Sequence, residues 1–338
     1  MKGSFNNILI KGIKTVVPSK RVKNSSYEEF LGKRRCRKQI RLTGVETRFL
    51  SDSAQTSADL AYVAGKKLLE NIEWNPLEID VMVFLTQNPL FVLPSTAFFL
   101  QKELGLSKNC MVFDVNLGCT GAVEGIQIVS ALLQPLSGSG KGLVLVADAV
   151  YDESSYGLSE DEVANSMLFG SAGSAVAIEK VNTKVKASYF STYSDGNRYN
   201  AIMRKKNGDL TMDGVGIFEF GINDVTKNMN NFKNEFDLKE EDIDIYSFHQ
   251  AQKLMLDSIE DICSLESYKN LRSLTEFGNT NGSSVLLNLC ANRSKVLSKK
   301  SNKILMCGFG VGLAWSYMYA NIDSRAVQPI EYTDYHMQ

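Results

Sequence analysis

Three residues of this sequence could together carry out nucleophilic catalysis: Cys119, His249 and Asn279. Cys119 lies where an extended apolar segment, beginning near Asp114, gives way after Gly118 to a run with helical spacing. At a helix N-terminus, unpaired N–H groups and the positive end of the dipole favour a thiolate over a thiol. The position therefore predicts a nucleophilic thiolate. The alternative is that this cysteine is one more small buried hydrophobic residue, which is the commoner role of the residue type.

The other two residues also stand at the ends of predicted elements. His249 follows a strand predicted over 244–248, and Asn279 lies in the turn 275–280, which opens a helix. Because His336 is third from the C-terminus, an interior acid–base step that needs imidazole would use His249. Cysteine, histidine and an asparagine-rich turn form a plausible set for acyl transfer. Papain-like proteases use the same residue types, but their local signature around the cysteine is absent.

Composition indicates an ordinary globular protein. The 338 residues are 44% hydrophobic, with a formal net charge of -1, which argues against general attraction to nucleic acid or anionic membranes. The sequence has neither a signal-peptide pattern nor an apolar run long enough to span a membrane, so we expect a cytoplasmic protein. The six cysteines lack CxxC or metal-ligand spacing, which favours reduced thiols and predicts no bound metal.

Hydrophobic periodicity predicts alternating helices and strands. Thr56 and Asp59 resemble a capping box at the start of a helix over 56–72, and another helix runs from Cys119 to Leu133. A third is predicted over 217–236. Strands are expected over 8–17, 79–85, 142–147, 244–248, 304–309 and 314–322. The polar stretch 195–211 is predicted to be a surface loop and is a candidate for the boundary between two halves.

Short internal matches indicate a duplicated unit. Ile79-Asp80-Val81 is matched by Ile243-Asp244-Ile245, and Phe169-Gly170 by Phe309-Gly310. The two spacings differ, so the first half would contain an insertion of about twenty residues between its matched segments. We place the N-terminal half, which carries the cysteine, at 1–182 and the C-terminal half, which carries the histidine and asparagine, at 183–338. Two βαβ-type halves packed face to face would bring both site-bearing helix starts to one centre.

Two unusual segments, both expected at the surface, indicate binding partners. One is a basic run, hereafter the cationic segment, of Lys33, Arg34, Arg35, Arg37, Lys38 and Arg41. It is either a solvated face or a landing site for an acidic or phosphate-bearing partner. The other is the loop 88–94, which is too apolar for an ordinary connection. We expect a second subunit to bury this loop, as in a homodimer, or the loop to line a tunnel for an apolar ligand.

Several motifs, in order along nearly the whole chain, give the sequence a family resemblance. They are Leu42-Thr43-Gly44-Val45-Glu46-Thr47-Arg48, the Cys119 segment, Met212-Asp213-Gly214, Phe248-His249-Gln250-Ala251, Phe277-Gly278-Asn279-Thr280 and Gly308-Phe309-Gly310-Val311-Gly312. With these the sequence resembles the β-ketoacyl-acyl carrier protein synthase III group of the thiolase fold. The resemblance implies an α/β thiolase-like fold of two duplicated halves, with mixed sheets in a five-layered arrangement.

The resemblance also implies the roles of the site residues. Cys119 would take an acyl group as a thioester, while His249 and Asn279 would bind a malonyl thioester and promote its decarboxylation. Backbone N–H groups of Cys119 and Val311 would form an oxyanion hole. Phe309 and Leu93 would line or gate the acyl pocket. The implied enzyme is an acyltransferase of lipid metabolism that makes a short 3-oxoacyl thioester by decarboxylative Claisen condensation.

Departures from the family pattern bear on the acyl donor. The tryptophan that helps hold the coenzyme A adenine in the family aligns with Lys38, and an arginine expected within 162–165 is missing. The substrates are expected to be acyl carrier protein thioesters, coenzyme A thioesters or both, with no permanently bound cofactor. The cationic segment would suit an acidic acyl carrier protein.

Two other functions remain open from the sequence. A thiolase-fold enzyme could pass the Cys119 acyl group to an amine or hydroxyl instead, or the chain could be a non-catalytic partner subunit. A hydroxymethylglutaryl-CoA synthase-like activity needs a catalytic glutamate, and the sequence offers none in a convincing position.

Overall fold

The computed structural model describes residues 1–151, 159–204 and 210–337. The strands of this part of the chain are β1 (Lys2–Phe5), β2 (Ile8–Pro18), β3 (Arg21–Lys23), β4 (Thr47–Phe49), β5 (Val81–Leu85), β6 (Met111–Val115), β7 (Gly140–Asp148), β8 (Ala172–Lys180), β9 (Ser188–Ser194), β10 (Ile202–Arg204), β11 (Leu210–Met212), β12 (Ile245–Phe248), β13 (Ser301–Gly310), β14 (Ala314–Asp323) and β15 (Glu331–Thr333). The α-helices are α1 (Glu28–Leu31), α2 (Lys33–Thr43), α3 (Ser57–Asn71), α4 (Thr96–Glu103), α5 (Gly121–Leu133), α6 (Glu160–Ser166), α7 (Gly214–Phe220), α8 (Thr226–Glu235), α9 (Lys253–Ile262), α10 (Leu274–Phe277), α11 (Ser284–Ala291) and α12 (Arg293–Val296).

Two mixed sheets repeat the same strand order. In the first, β2, β8, β7, β5 and β6 are neighbours in that order, with β15 outside β2; in the second, β9, β14, β13 and β12 follow one another, with β1 outside β9. Both sheets begin with two antiparallel pairings and continue with a parallel one. In the second sheet, Asn270 forms a parallel bridge with Tyr246 of β12. This bridge corresponds to the pairing of β6 with β5 in the first sheet. The sheets therefore show the predicted duplication.

The structure also places the predicted insertion. In the first half, β7 ends at Asp148 and β8 begins at Ala172, whereas in the second half β13 ends at Gly310 and β14 begins at Ala314. The additional chain of the first half lies in that connection, which contains α6. The boundary proposed at 182/183 falls between β8 and β9, while β1 and β15 each join the sheet of the opposite half.

Successive side chains of each strand point to opposite faces of its sheet, so both sheets pack against helices on both faces and the fold has five layers. In β5, Val81, Val83 and Leu85 share a core with α5, and Met82 and Phe84 share one with α3 and α4. Alternate residues of β13 likewise divide between α5 with α11 and α8 with α9. Helices α5 and α11 thus lie between the two sheets, with α3 and α4 on one outer face and α8 and α9 on the other. Cys119 lies just before α5, Asn279 precedes α11 in the chain, and His249 follows β12.

Local sequence signals account for several element boundaries. The predicted capping box at the start of α3 is present, since Thr56 Oγ1 accepts from the Asp59 N–H and the Asp59 carboxylate accepts from the Thr56 N–H. Such an N-cap contributes about 0.5–2 kcal/mol. The helix predicted over 217–236 is α7 and α8, joined by a π-helical turn, Gly221–Val225. None of the helices in the described ranges combines the length and apolarity needed to cross a membrane.

One segment differs from its prediction. The stretch 195–211 was expected to be a loop, yet it contains the antiparallel strands β10 and β11, paired from Ile202 with Met212 to Arg204 with Leu210. Residues 205–209 of this stretch lie outside the described part. Strands β10 and β11 follow β9 in the chain. The proposed boundary at 182/183 lies earlier, in the connection between β8 and β9 at 181–187.

Candidate active site

Cys119 stands at the turn that opens the central helix α5. The Gly121 N–H donates to the Gly118 carbonyl at 2.7 Å, which closes the turn, and the helix begins at Gly121. The thiol is buried with only 7% of the residue exposed. Hydrophobic residues of α5 pack between the two sheets, and this packing fixes the position of the first turn of the helix. Cys119 is therefore held at the junction of the two halves.

The end of β13 closes against this turn. A Cβ atom built on Gly310 would lie 2.8 Å from Cys119 Sγ, and one on Gly308 would lie 2.8 Å from the Cα atom of Thr120. Any side chain at these two positions would displace the cysteine turn. These glycines let β13 approach Cys119 closely.

Two backbone N–H groups favour the charged form of the Cys119 thiol. They belong to Val311, just beyond β13, and to Cys119 itself, and both lower the pKa of the thiol. Burial has the larger, opposite effect and raises this pKa to about 12, and the nearby carboxylate of Asp148 adds to the increase. The expectation of a resting thiolate is therefore wrong. The sequence indicated the helix N-terminus, but it did not indicate that β13 would cover the Cys119 thiol and exclude water from it.

His249 lies directly after β12 and is 2% exposed. Its Nδ1 atom is 2.7 Å from the Ser284 hydroxyl, which also accepts the Gln250 N–H at 3.4 Å. We assign the Ser284 hydroxyl as the donor to Nδ1, which places the ring proton on Nε2. Burial lowers the pKa of His249 to about 3, against the smaller opposing effect of a hydrogen bond that the ring donates to the Asn281 backbone carbonyl. The imidazole is a neutral hydrogen-bond donor at physiological pH.

Asn279 is buried and fixed through both ends of its amide. Its Oδ1 atom accepts the Asn281 N–H at 3.0 Å, and Nδ2 donates to the Ala251 carbonyl, two residues past the histidine, at 3.5 Å. Its backbone forms a parallel bridge with Phe169 in the connection before β8. The side-chain amide is thereby oriented towards the His249 segment, with a second N–H on Nδ2 for a ligand.

The structure separates the two predicted acyl-pocket residues. Phe309 is buried, with its ring edge-on to the imidazole of His249 at a centroid distance of 5.4 Å. Leu93 is 89% exposed in a loop whose other apolar residues, including Val92, also face outward. Within a single chain Leu93 therefore does not line a closed pocket with Phe309.

The cationic segment forms helix α2, and its six cations are not equivalent. Arg35 forms ion pairs with Glu160, at 2.6 Å, and with Asp161, and Arg37 contacts Glu28 at 3.0 Å. The exposed cations of the helix are Lys33, Arg34, Arg37, Lys38 and Arg41. Lys33, Arg34, Arg35 and Lys38 line an open groove of about 510 Å³ together with Leu31 and Gly32. Part of the positive charge of α2 is thus neutralised by carboxylates of the same chain.

Sequence reasoning missed two polar residues of the site. Ser284 contacts the histidine, and Asp148 is a buried carboxyl whose Oδ1 atom accepts from Thr86 Oγ1 at 3.2 Å and from the Gln87 N–H at 2.8 Å. Burial raises the pKa of Asp148 to about 7. Ser284 lies in the same asparagine-rich segment as Asn279, but neither periodicity nor spacing distinguishes it from Ser283.

Comparisons with known proteins decide the family. The model of the C-terminal region of 3-oxoacyl-[acyl-carrier-protein (ACP)] synthase III matches residues 234–322. Beta-ketoacyl-[acyl-carrier-protein] synthase III of Lactococcus lactis subsp. cremoris is 31% identical over 292 residues, which cover 83% of this chain and 89% of that protein. The chain belongs to the beta-ketoacyl-[acyl-carrier-protein] synthase III family. The synthase III of Clostridium perfringens is 28% identical over 326 residues, covering 92% of this chain and 98% of its own.

The structural comparison agrees with the synthase III assignment. The crystal structure of the 3-oxoacyl-(acyl-carrier protein) synthase of Burkholderia xenovorans LB400 matches with a TM-score of 0.92 and 28% identity, over 98% of this chain and 99% of that one. The predicted thiolase-like fold and the predicted acyltransferase class, a synthase III-type condensing enzyme, are both confirmed.

Proposed function

We propose that the protein holds an acyl group on Cys119 and condenses it with a malonyl thioester to give a 3-oxoacyl thioester. The backbone N–H groups of Cys119 and Val311 both lower the pKa of the thiol, and the adjacent Gly310 lies against the sulfur, so this arrangement supports the proposal most directly. Donors so placed lie next to the carbonyl oxygen of any acyl group carried by that sulfur. They would stabilise the negative charge that the oxygen gains in each tetrahedral intermediate.

The first step is acylation of the cysteine. Cys119 Sγ attacks the carbonyl carbon of an acyl thioester, and the bond from that carbon to the donor sulfur breaks. Because burial holds the pKa of Cys119 at about 12, the thiol is protonated at rest, and its proton leaves as the S–C bond forms. The departing donor thiolate takes up one proton. The Cys119 thiol is thus consumed and the donor is released as a thiol. The backbone N–H groups of Cys119 and Val311 stabilise the oxyanion between these events.

The second step is decarboxylation and carbon–carbon bond formation. His249 Nε2 and Asn279 Nδ2 donate to the thioester carbonyl oxygen of the malonyl group. The bond to its carboxylate breaks, carbon dioxide leaves, and the electron pair forms an enolate that these two donors stabilise. The enolate carbon then attacks the acyl–Cys119 carbonyl, and collapse of the intermediate breaks the bond to sulfur and releases the product. The Cys119 thiolate takes up one proton from solvent, which restores the resting thiol. A neutral imidazole suits this role, since the pKa of His249 is about 3 and the ring keeps its single proton throughout.

An acyl carrier protein is the proposed donor of the acyl group. The acidic surface of a carrier protein complements α2, where the exposed Lys33, Arg34 and Lys38 line the open groove and Arg41 is exposed on the same helix. Arg35 and Arg37 already contact carboxylates of this chain, so the docking charge falls mainly to the other four cations. Lys38 stands where the family has the tryptophan that helps hold the coenzyme A adenine, which favours a donor without adenine.

A homodimer in the cytoplasm is the proposed working form. The apolar residues of the loop 88–94 are exposed in one chain, and soluble proteins rarely leave such a patch uncovered. A second copy is the proposed cover, and it would bring Leu93 of one chain towards the partner. The proposed halves remain 1–182 and 183–338.

One experiment tests this function directly. The purified protein is incubated with an acyl carrier protein thioester and a malonyl thioester, and carbon dioxide and product mass are measured. The proposal predicts release of carbon dioxide together with formation of a 3-oxoacyl thioester. Transfer of the acyl group to an amine or hydroxyl without carbon dioxide release would contradict it.

A further inference from the structure

Arg48 is a buried arginine whose hydrogen bonds lead towards the active site. It is 1% exposed, although it carries a charge that is costly to bury without partners. Its Nε atom donates to Asn24 Oδ1 at 2.8 Å, and Nη2 donates to the hydroxyl of Tyr27 at 3.0 Å. Nη1 donates to two backbone carbonyls, those of Ser166 at 2.6 Å and Phe169 at 3.0 Å. The planar guanidinium thus joins two segments that are far apart in the chain.

Asn24 reinforces the same connection. Its Nδ2 atom donates to the Met167 carbonyl at 2.8 Å and to the Val45 carbonyl at 2.9 Å. Arg48 and Asn24 together therefore hold three carbonyl groups of the segment 166–169. This segment ends α6 and leads into β8, and side chains from outside it fix its path.

The held segment is the backbone partner of Asn279. The Asn279 N–H donates to the Leu168 carbonyl at 2.9 Å, and the Gly170 N–H donates to the Asn279 carbonyl at 3.0 Å. The approach is tight, because a Cβ atom on Gly170 would lie 2.4 Å from the Phe277 carbonyl oxygen, and one on Gly278 would lie 3.2 Å from Arg48 Cγ. A shift of 166–169 would therefore move the backbone that carries the Asn279 amide.

From these contacts we infer that Arg48 is a positioning residue for condensation. It touches neither Cys119 nor the proposed ligand atoms, and it acts by fixing 166–169 and, through that segment, Asn279. Cys119 is positioned by α5 and the end of β13, which have no part in this network. Loss of the guanidinium should therefore impair the malonyl step and spare acylation. This inference rests on the proposed function, since it divides the two proposed steps.

The test is Arg48→Lys, which keeps the charge but replaces a planar fork by one ammonium group that cannot reach all four acceptors. Acylation of Cys119 by a carrier thioester is followed by intact mass, and condensation by carbon dioxide release from a malonyl thioester. We expect condensation to fall at least about tenfold, because small misplacements of a binding group are costly, with acylation within about twofold of wild type. Arg293→Lys is the matched control, because Arg293 donates to the Val327 carbonyl in a different segment. It should change neither step.

Tyr27→Phe provides a second, milder variant. It removes one acceptor of Arg48 and keeps the ring, so condensation should fall by about two- to fivefold with acylation unchanged. Melting temperatures of both variants show whether each is folded. Proportional loss of both steps in a folded variant, or unchanged condensation in every folded variant, would overturn the inference. A wild-type protein that releases no carbon dioxide would instead contradict the proposed function, so the two failures are distinguishable.

Discussion

The Ser284 hydroxyl lies 2.7 Å from Nδ1 of His249 and connects the histidine, at the end of β12, to the helix that begins beside Asn279. This contact fixes the ring orientation, and with the hydroxyl assigned as the donor the ring proton is on Nε2. It makes the neutral histidine a directed donor. Under the proposed roles, this pair acts in the malonyl step and not in acylation of the cysteine.

Ser284→Ala should slow condensation by about 3- to 10-fold, because a net hydrogen bond contributes about 1 kcal/mol and the freed ring can also turn. Acylation of Cys119 should be unchanged. The two steps are measured separately, by carbon dioxide release and by intact mass. Ser258→Ala is the control, since the Ser258 hydroxyl bonds a carbonyl within α9, at Leu254. If Ser284→Ala slows acylation as much as condensation, the assigned role of Ser284 is wrong.

The reactivity of Cys119 should depend on pH as expected for a buried thiol. Burial raises its pKa to about 12, so the protonated form dominates at pH 7 and the thiolate fraction grows with pH. The rate of iodoacetamide alkylation should rise about tenfold per pH unit from pH 7 to 9 without a plateau. The histidine adds no step, because its pKa of about 3 lies below this range.

Intact mass spectrometry of the alkylated protein gives these rates, with Cys119→Ser as the control for labelling of the other five cysteines. A plateau reached below pH 9 would show a thiolate stabilised more strongly than the hydrogen bonds from Val311 and Cys119 account for.

Reversing exposed charges on α2 should weaken carrier docking. We predict that Arg34→Glu combined with Lys38→Glu slows acylation from the carrier thioester through association, while a minimal pantetheine thioester reacts nearly as before. The wild-type carrier rate should also fall with rising salt, since exposed charges more than about 8 Å apart are screened at physiological ionic strength. Arg35 and Arg37 are avoided because they contact carboxylates of this chain.

The matched control reverses Lys184 and Lys186, two exposed lysines in the connection between β8 and β9. This control should leave the carrier reaction unchanged. Equal loss with both donors in the α2 variant would mean that α2 supports the fold or the site and not the carrier.

The loop 88–94 should be buried in a homodimer. Val92 is fully exposed and Leu93 nearly so, and an acidic side chain at such a position would oppose burial. Wild type should sediment with the mass of two chains at micromolar concentration, and Val92→Asp should shift the equilibrium towards one chain. Leu77→Asp changes an exposed leucine elsewhere and should leave the dimer intact. A wild-type monomer would refute the prediction.

The parts of the site that sequence could predict depend on local signals. The start of α5 at Cys119, the strand before His249 and the capping box of α3 each follow from residues within one or two turns of chain. The family motifs added the order of these elements. The internal matches also indicated the duplication, which the two sheets show in their repeated strand order.

The parts that sequence could not predict depend on distant contacts. Arg35 meets Glu160 and Asp161 only because α2 packs beside α6, and nothing near Arg35 in the chain signals this. The raised pKa of Cys119 comes from burial under β13, which a helix N-terminus does not reveal. The Arg48 network likewise joins segments whose proximity requires the whole fold.

The division of labour between the nucleophile and the malonyl-binding pair is tested most directly by stepwise mass spectrometry. Wild type, Cys119→Ser, His249→Ala and Asn279→Ala are each incubated with an acyl carrier protein thioester, weighed intact, and then given a malonyl thioester. Wild type, His249→Ala and Asn279→Ala should gain the acyl mass, and only wild type should then lose it to a 3-oxoacyl product with carbon dioxide release. Cys119→Ser should gain nothing, because an alkoxide is far harder to form at this site. An acyl adduct on Cys119→Ser, or a failure of His249→Ala or Asn279→Ala to acylate, would contradict these roles.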